Sequence, residues 1–268
     1  MTTNGASPIS IERDVAFGHG GAIDLRLDVY RPPAGREKRT AVIQLHGGGF
    51  RRGSKDSLAA NCRLFAERGY VAIASQYRLL DQGPWPAQIE DVKAAIRWTR
   101  ANAASLGVDP DKVAVAGYSA GGFLALAAAG APNDASLEGS GGNAGVSSAV
   151  AACIAFYTGG GRSLREDGAS EAETDVMRFV KPGCPPTILL HSTGDSTVPF
   201  DASVGLFNAF RAAGVAVELH LFEGLSHVFD RHPEFAAPSV EVCDLFLDRH
   251  VVEPRAYPPF VAGVARPG

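Results

Sequence analysis

A serine flanked by glycines stands where the chain is expected to change from strand to helix. Ser119 is the centre of the motif Gly-x-Ser-x-Gly at 117–121. An apolar run of strand length, 113–116, precedes the motif, and a segment rich in strong helix formers, 122–129, follows it. A serine at the apex of such a turn exposes its hydroxyl group. The pattern predicts a serine nucleophile, and a turn that merely joins two elements is the alternative.

Three consecutive glycines follow an earlier apolar run. The segment 46–49, His-Gly-Gly-Gly, comes directly after the run 41–45. Because glycine has no side chain, the backbone N–H groups of this loop can approach a ligand oxygen closely. The expected oxyanion donors are the N–H groups of Gly48 or Gly49 and of Ala120. A flexible surface loop is the alternative.

Residues beside these two glycine motifs are expected to border a bound substrate. They are His46, Gly47, Phe50 and Tyr118. Among them, His46 is expected to brace the loop and not to carry a proton.

A serine nucleophile needs a histidine base, and the order nucleophile, acid, base places that histidine late in the chain. The candidates are His220, His227, His232 and His250. His220 lies in an alternating, strand-like segment, and His250 closes a helical pattern. His232 stands at the start of that helical pattern. Only His227 lies in a loop directly after a strand, so it is the predicted base, with His232 or a surface role for His227 as the alternatives.

The predicted acid is Asp195. It follows the apolar run 186–191, in the turn 192–199. An aspartate in a turn often serves only as a cap or an Asx bend. Asp201 is the second candidate, but it is placed to cap a helix that begins near Ala202. More distant carboxylates are the remaining alternatives.

These motifs together resemble the α/β-hydrolase superfamily of serine esterases, in particular the hormone-sensitive-lipase and bacterial feruloyl- and acetyl-esterase-like families. The similarity extends over about residues 41–229. It includes three segments that carry no chemistry of their own, 76–79, 84–91 and 108–113. The resemblance implies an α/β-hydrolase fold with Ser119, Asp195 and His227 as its catalytic triad.

Two departures from the hormone-sensitive-lipase branch bear on the substrate. Tyr118 replaces the aspartate that is common before the serine, and the Ala-Pro-Glu expected after Leu79 is absent. Both features favour the smaller feruloyl- and acetyl-esterase-like and arylformamidase-like relatives.

The order of apolar and helical segments predicts the fold class, α/β. The segments 11–17 and 23–30 form an antiparallel hairpin in this interpretation. Six apolar runs then alternate with helical stretches: 41–45, 71–75, 113–116, 150–155, 187–191 and 217–222. This alternation predicts a mainly parallel sheet covered on both faces, with ligands bound at the carboxyl ends of the strands.

Only one segment could cover the cleft, and the cap is predicted to be small or absent. The segment 157–185 is the candidate cap insertion, with a short helix within 171–180. The proline-rich tail 253–268 is expected to wrap the surface or to reach a second copy in a homodimer. Residues 1–268 are predicted to form a single domain.

The composition of the chain argues against several classes of binding partner. The net charge of −4, with no basic stripe, argues against nucleic acid. The N-terminal residues lack the pattern of a signal peptide, and no apolar run reaches spanning length, so a cytoplasmic protein without a membrane partner is expected. The four cysteines are widely spaced and are predicted to be free thiols. The histidines form no metal-binding pattern, and neither a metal nor a cofactor is predicted.

The function predicted from these residues is that of a serine carboxylesterase acting on a small-molecule ester of a short-chain or aryl type. One alternative keeps the triad but changes the reaction, to arylformamidase-like amide hydrolysis or acyl transfer. Another is a binding protein that has the hydrolase fold without catalysis, which is disfavoured because all three triad members are present.

Overall fold

Short runs of valine, isoleucine, leucine and alanine form a central sheet. The computed structural model describes residues 8–257. Its strands are β1 Ser10–Gly20, β2 Ile23–Arg31, β3 Ala41–Leu45, β4 Val71–Ser75, β5 Val113–Tyr118, β6 Ala152–Phe156, β7 Thr187–Ser192 and β8 Val217–Phe222. They form one eight-stranded sheet in the order β1-β2-β4-β3-β5-β6-β7-β8.

The sheet is parallel except at its N-terminal edge. Strand β1 pairs antiparallel with β2, and β2 pairs antiparallel with β4. All pairs from β4 through β3 to β8 are parallel. The predicted hairpin and the mainly parallel sheet are therefore confirmed. Strand β6 begins at Ala152, two residues later than the pattern predicted.

Helices cover both faces of the sheet, as the alternating pattern predicted. They are α1 Ala59–Glu67, α2 Ala87–Ala101, α3 Ala103–Leu106, α4 Ala120–Gly130, α5 Arg162–Glu166, α6 Glu171–Thr174, α7 Asp201–Ala212 and α8 Pro233–Leu247. Helices α1 and α8 bury Phe65 and Phe246 on one face. Helices α2, α4 and α7 bury side chains such as Ile96, Leu124 and Phe210 on the other. Among residues 8–257, no helix has the length and apolar composition needed to cross a bilayer.

The candidate cap segment 157–185 is short and broken. It holds α5, α6 and a 3-10 turn at Val176–Phe179. The helix predicted within 171–180 is interrupted at Asp175, whose side chain accepts the N–H of Met177 and so begins the 3-10 turn. Of the tail 253–268, residues 258–268 lie outside the described residues. The tail, the homodimer and the single-domain boundaries stay predictions.

A buried ion pair holds the hairpin to the loop that follows β3. Lys55 Nζ lies 2.8 Å from Asp28 Oδ1 and 2.9 Å from Asp14 Oδ1, and Asp28 is fully buried. Burial alone would lower the pKa of Lys55, but the hydrogen bonds from its amine to Asp28 and Asp14 outweigh burial and raise that pKa. Lys55 therefore stays charged and compensates the buried Asp28 carboxylate.

Removing this cation is expected to destabilise the fold. Lys55→Met should lower the free energy of unfolding by about 2 kcal/mol, because among residues 8–257 Asp28 then keeps Arg13, at 3.2 Å, as its one cationic partner. Arg162→Met is the matched control, since the Arg162–Glu166 pair is exposed and should contribute less than about 0.5 kcal/mol. Urea unfolding of both variants checks the prediction, and equal losses would contradict it.

Candidate active site

The backbone at Ser119 is strained in the way that a sharp strand-to-helix turn requires. Its φ of 55° and ψ of −115° place a non-glycine residue at positive φ, at a cost of roughly 1–3 kcal/mol. The Ser119 N–H donates to the carbonyl oxygen of Phe156 at 3.0 Å, which ties the turn to the end of β6. Helix α4 begins at the next residue, Ala120. The half-buried hydroxyl of Ser119 is thus held at the carboxyl edge of the sheet.

The two motif glycines are required by close approach of backbone. A β-carbon at Gly117 would lie 2.0 Å from the carbonyl oxygen of Gly121. A β-carbon at Gly121 would lie 2.1 Å from the carbonyl oxygen of Leu45. Any side chain at either position would push α4 away from the sheet.

His227 joins Ser119 to Asp195. Its Nε2 lies 3.0 Å from Ser119 Oγ, and its Nδ1 lies 2.6 Å from Asp195 Oδ2. Because an ionised carboxylate only accepts hydrogen bonds, Nδ1 carries the proton. Nε2 is then free to accept the proton of the Ser119 hydroxyl. The structure therefore brings the predicted nucleophile, base and acid into one hydrogen-bonded chain.

The other candidate histidines lie elsewhere. His220 Nε2 lies 3.2 Å from Glu218 Oε2 within β8. His232 is the N-cap residue of α8, where its ring accepts the N–H of Glu234. His250 packs its ring against Phe246, with centroids 4.7 Å apart. Among the described residues, none of these three rings makes a hydrogen bond to Ser119.

Asp195 is held from both of its oxygens. The side chain is buried, and Oδ1 accepts the N–H groups of Thr197 at 2.8 Å and Val198 at 2.9 Å. Burial alone would raise the pKa of Asp195, but the hydrogen bonds from His227 and Val198 outweigh burial and lower that pKa. The acid is therefore ionised beside His227.

Asp201 does not meet His227. It is the exposed first residue of α7, and its side chain forms no capping hydrogen bond. The capping role expected for Asp201 is therefore wrong, because the helix begins one residue earlier than the pattern suggested.

Two residues contact the acid and the base without having been predicted to do so. His191 Nε2 lies 3.2 Å from Asp195 Oδ2, and the ring of Tyr157 lies edge-on to His227 with centroids 4.6 Å apart. The sequence pattern showed only that His191 ends a strand. The one sequence signal for a contact between His191 and Asp195 was their spacing of four residues across the end of a strand.

The glycine loop presents free backbone donors. Gly48 and Gly49 have φ values of 122° and 62°, and a β-carbon at Gly48 would lie 2.0 Å from the carbonyl oxygen of Arg52. Within residues 8–257, the N–H groups of Gly48, Gly49 and Ala120 donate to no protein acceptor. These donors remain available to a ligand oxygen near Ser119.

His46 and Gly47 have different surroundings in this loop. The His46 ring is buried, stacks on Tyr77 with centroids 4.2 Å apart, and donates from Nδ1 to the carbonyl oxygen of Gly47 at 2.8 Å. These contacts brace the loop, and the substrate contact expected of His46 stays a prediction. Gly47 itself stands beside the nucleophile, since a β-carbon there would lie 3.2 Å from Ser119 Cβ.

The substrate contacts expected of Phe50 and Tyr118 also stay predictions, and both side chains are buried against aromatic rings. Phe50 is 3% exposed and packs edge-on against Phe123 of α4. Tyr118 is 4% exposed, stacks on Phe156 and donates its hydroxyl to Gln44 Oε1 at 3.2 Å. Strand alternation turns Tyr118 toward the layer that contains α1 and α8, away from the cleft.

Comparison with known proteins identifies relatives of this chain. The BD-FAE family model matches residues 27–161. Esterase LipQ of Mycobacterium tuberculosis is 31% identical over 242 residues, which are 81% of this chain and 57% of LipQ. Carboxylesterase NlhH of the same organism is 42% identical over 108 residues, 40% of this chain and 34% of NlhH. The chain thus spans between about a third and somewhat over half of these two relatives.

One solved structure is similar to this chain over nearly the whole length of both proteins. The thermophilic esterase Est2 of the planctomycete Thermogutta terrifontis, in its butyrate-bound form, is 30% identical to this chain with a TM-score of 0.80. The match covers 92% of this chain and 96% of Est2.

Proposed function

Because the chain belongs to the BD-FAE family of α/β-hydrolase-fold esterases, we propose that it hydrolyses carboxylic esters through a serine-bound acyl-enzyme. The observation that carries this proposal is the hydrogen-bonded chain from Ser119 through His227 to Asp195. A serine hydroxyl becomes a good nucleophile only when a base such as an imidazole nitrogen accepts its proton. An ordinary surface serine has no such base beside it.

Each residue of the chain has one role in the proposed reaction. Ser119 Oγ attacks the ester carbonyl carbon while His227 Nε2 takes the hydroxyl proton. Asp195 stabilises the imidazolium that forms and keeps the proton on Nδ1. His227 then gives the proton from Nε2 to the departing alcohol, which leaves the acyl group on Ser119. A water molecule then attacks the acyl carbon while His227 Nε2 takes one of its protons. His227 returns that proton to Ser119 Oγ as the bond between Oγ and the acyl carbon breaks, which releases the carboxylic acid and restores the free serine.

The negative charge that develops on the carbonyl oxygen needs preorganised donors. The free N–H groups of Ala120 and of Gly48 or Gly49 support this role, because Ala120 follows Ser119 directly and the two glycines follow Gly47, which lies beside Ser119. The buried His46 fixes the loop that carries the two glycines. Gly47 is proposed to border the substrate, since a side chain there would crowd Ser119.

The acyl group is proposed to be short. The candidate cap 157–185 contains helices of only five and four residues, and Ser119 and His227 both remain half-buried. Such a site can bury few methylene groups, each of which contributes roughly 0.8 kcal/mol when fully buried. The butyrate complex of the similar Est2 agrees with an acyl group of this size.

A chain-length series tests this proposal. The value of kcat/KM for 4-nitrophenyl esters is expected to peak between acetate and butyrate and to fall for long acyl chains, with no increase at an oil–water interface. The measurement is a series from acetate to palmitate, with emulsified triglyceride as a second arm. Efficient hydrolysis of palmitate or triglyceride would contradict the proposal of an open, shallow site.

The same assay separates ester hydrolysis from the alternative reactions. A panel of alkyl esters, aryl esters and formanilides is expected to give the highest kcat/KM with the esters. Faster turnover of formanilides would favour an amide hydrolase, and no turnover of any substrate would favour a binding protein. A cytoplasmic location and the lack of a nucleic-acid partner stay predictions.

A further inference from the structure

A second histidine is fully buried behind the acid. His191 lies near the end of β7 and has no solvent exposure. Its Nε2 lies 3.0 Å from the carbonyl oxygen of Val198 and 3.2 Å from Asp195 Oδ2. On the other side of the ring, Nδ1 lies 2.7 Å from Ser203 Oγ on α7. Every polar atom of this ring therefore has a partner.

The partners determine where the proton of His191 resides. A backbone carbonyl and an ionised carboxylate only accept hydrogen bonds, so Nε2 carries the proton and is shared between Val198 and Asp195. Nδ1 then accepts the hydroxyl proton of Ser203. Burial lowers the pKa of His191, which keeps the ring neutral despite the nearby carboxylate. The titratable groups that act on this ring are Asp195 and His227.

We propose that His191 is a positioning residue for the catalytic acid, whose Nε2–H holds Asp195 Oδ2 toward His227 and limits the basicity of that oxygen. The proposal rests on the triad given under the proposed function. It adds a fourth side chain, which makes no hydrogen bond to Ser119 and acts through Asp195 and the turn that carries it.

The geometry gives His191 two effects on the acid. Asp195 Oδ1 is fixed by the N–H groups of Thr197 and Val198, but within the described part of the chain Oδ2 is held only by the two imidazoles. The contact from His191 to the Val198 carbonyl also ties the turn 195–198 to β7. Without His191, the carboxylate would gain freedom to rotate away from His227. Its Oδ2 would also become a stronger acceptor, which favours the imidazolium form of His227.

Substitution of His191 provides the main test. His191→Leu is expected to lower kcat for 4-nitrophenyl butyrate by about 10- to 100-fold, with KM changed less than about twofold. The acidic limb of the kcat/KM profile should move upward by about one pH unit, because losing a hydrogen bond to a charged group is worth about that much. A role in packing alone would lower the melting temperature and leave the pH profile unchanged.

Two further variants probe the hydrogen bond itself. His191→Gln can place an amide N–H near the position of Nε2, and should recover kcat to within about fivefold of the native value. Ser203→Ala removes only the bond to Nδ1, and should shift the pH profile in the same direction by a smaller amount. His220→Leu is the matched control, because His220 also lies 3.2 Å from a carboxylate oxygen but on β8, away from Ser119. Its kcat and pH profile should be unchanged.

The outcomes decide between this proposal and the triad on which it rests. A folded His191→Leu with native kcat and pH profile would overturn the role of His191. If that variant does not fold, His191→Asn replaces it, since its shorter amide does not reach Asp195; native activity in His191→Asn would overturn the role equally. An active Ser119→Ala would instead overturn the proposed triad, whatever the result at His191.

Discussion

Ser119→Ala is expected to lower kcat for 4-nitrophenyl butyrate by about 10⁵-fold, with the melting temperature changed by no more than a few degrees. The substitution removes the atom that forms the acyl-enzyme, so only binding and the oxyanion donors can still assist attack by water. The half-buried His227 Nε2 loses its partner but can bond to solvent, so the fold should tolerate the change.

Kinetics and covalent labelling check this expectation together. A fluorophosphonate probe should label the native protein and fail to label Ser119→Ala, because the probe reacts only with an activated hydroxyl. Ser226→Ala is a suitable control, since Ser226 is an exposed serine adjacent to His227 and should keep both activity and labelling. Native turnover by purified, folded Ser119→Ala would mean that the nucleophile is another residue.

The sequence predicted the strand framework well, because the buried strands of a parallel sheet are continuous apolar runs. The bounds of β3, β4 and β8 agree with the predicted runs 41–45, 71–75 and 217–222. The carboxyl ends of such strands share one edge of the sheet, so the loops after them had to meet. That is why Ser119, Asp195 and His227 could be selected before their distances were known.

The side chains around Ser119, Asp195 and His227 could not be predicted in the same way. Whether Tyr118 faces the cleft or the core depends on which face of β5 each alternate residue occupies, and both faces of this sheet are buried. Residues on the two faces of β5 are then equally hydrophobic, so the pattern does not show which face Tyr118 occupies. His191 was missed for a related reason, since its bond to Asp195 forms only because the turn after β7 brings residues 195–198 back against the end of that strand.

Asp195→Asn is the second substitution with a large expected effect, and Asp201→Asn is its control. We expect kcat to fall by about 10⁴-fold in Asp195→Asn and to stay within about twofold of the native value in Asp201→Asn. Each substitution removes one negative charge from the segment between β7 and the first turn of α7. They differ in whether the carboxylate contacts His227, so their comparison separates a general charge effect from the specific bond.

The physical reason lies in the tautomer of His227. An amide in place of the Asp195 carboxylate can turn its NH₂ group toward Nδ1, which then accepts a hydrogen bond and leaves the proton on Nε2. A ring protonated at Nε2 cannot take the proton of Ser119, although all distances remain nearly unchanged. The amide oxygen can still accept the N–H groups of Thr197 and Val198, so stability should fall far less than activity. Measurements of kcat and urea unfolding on both variants test this, and a crippled Asp201→Asn beside an active Asp195→Asn would transfer the role of acid to Asp201.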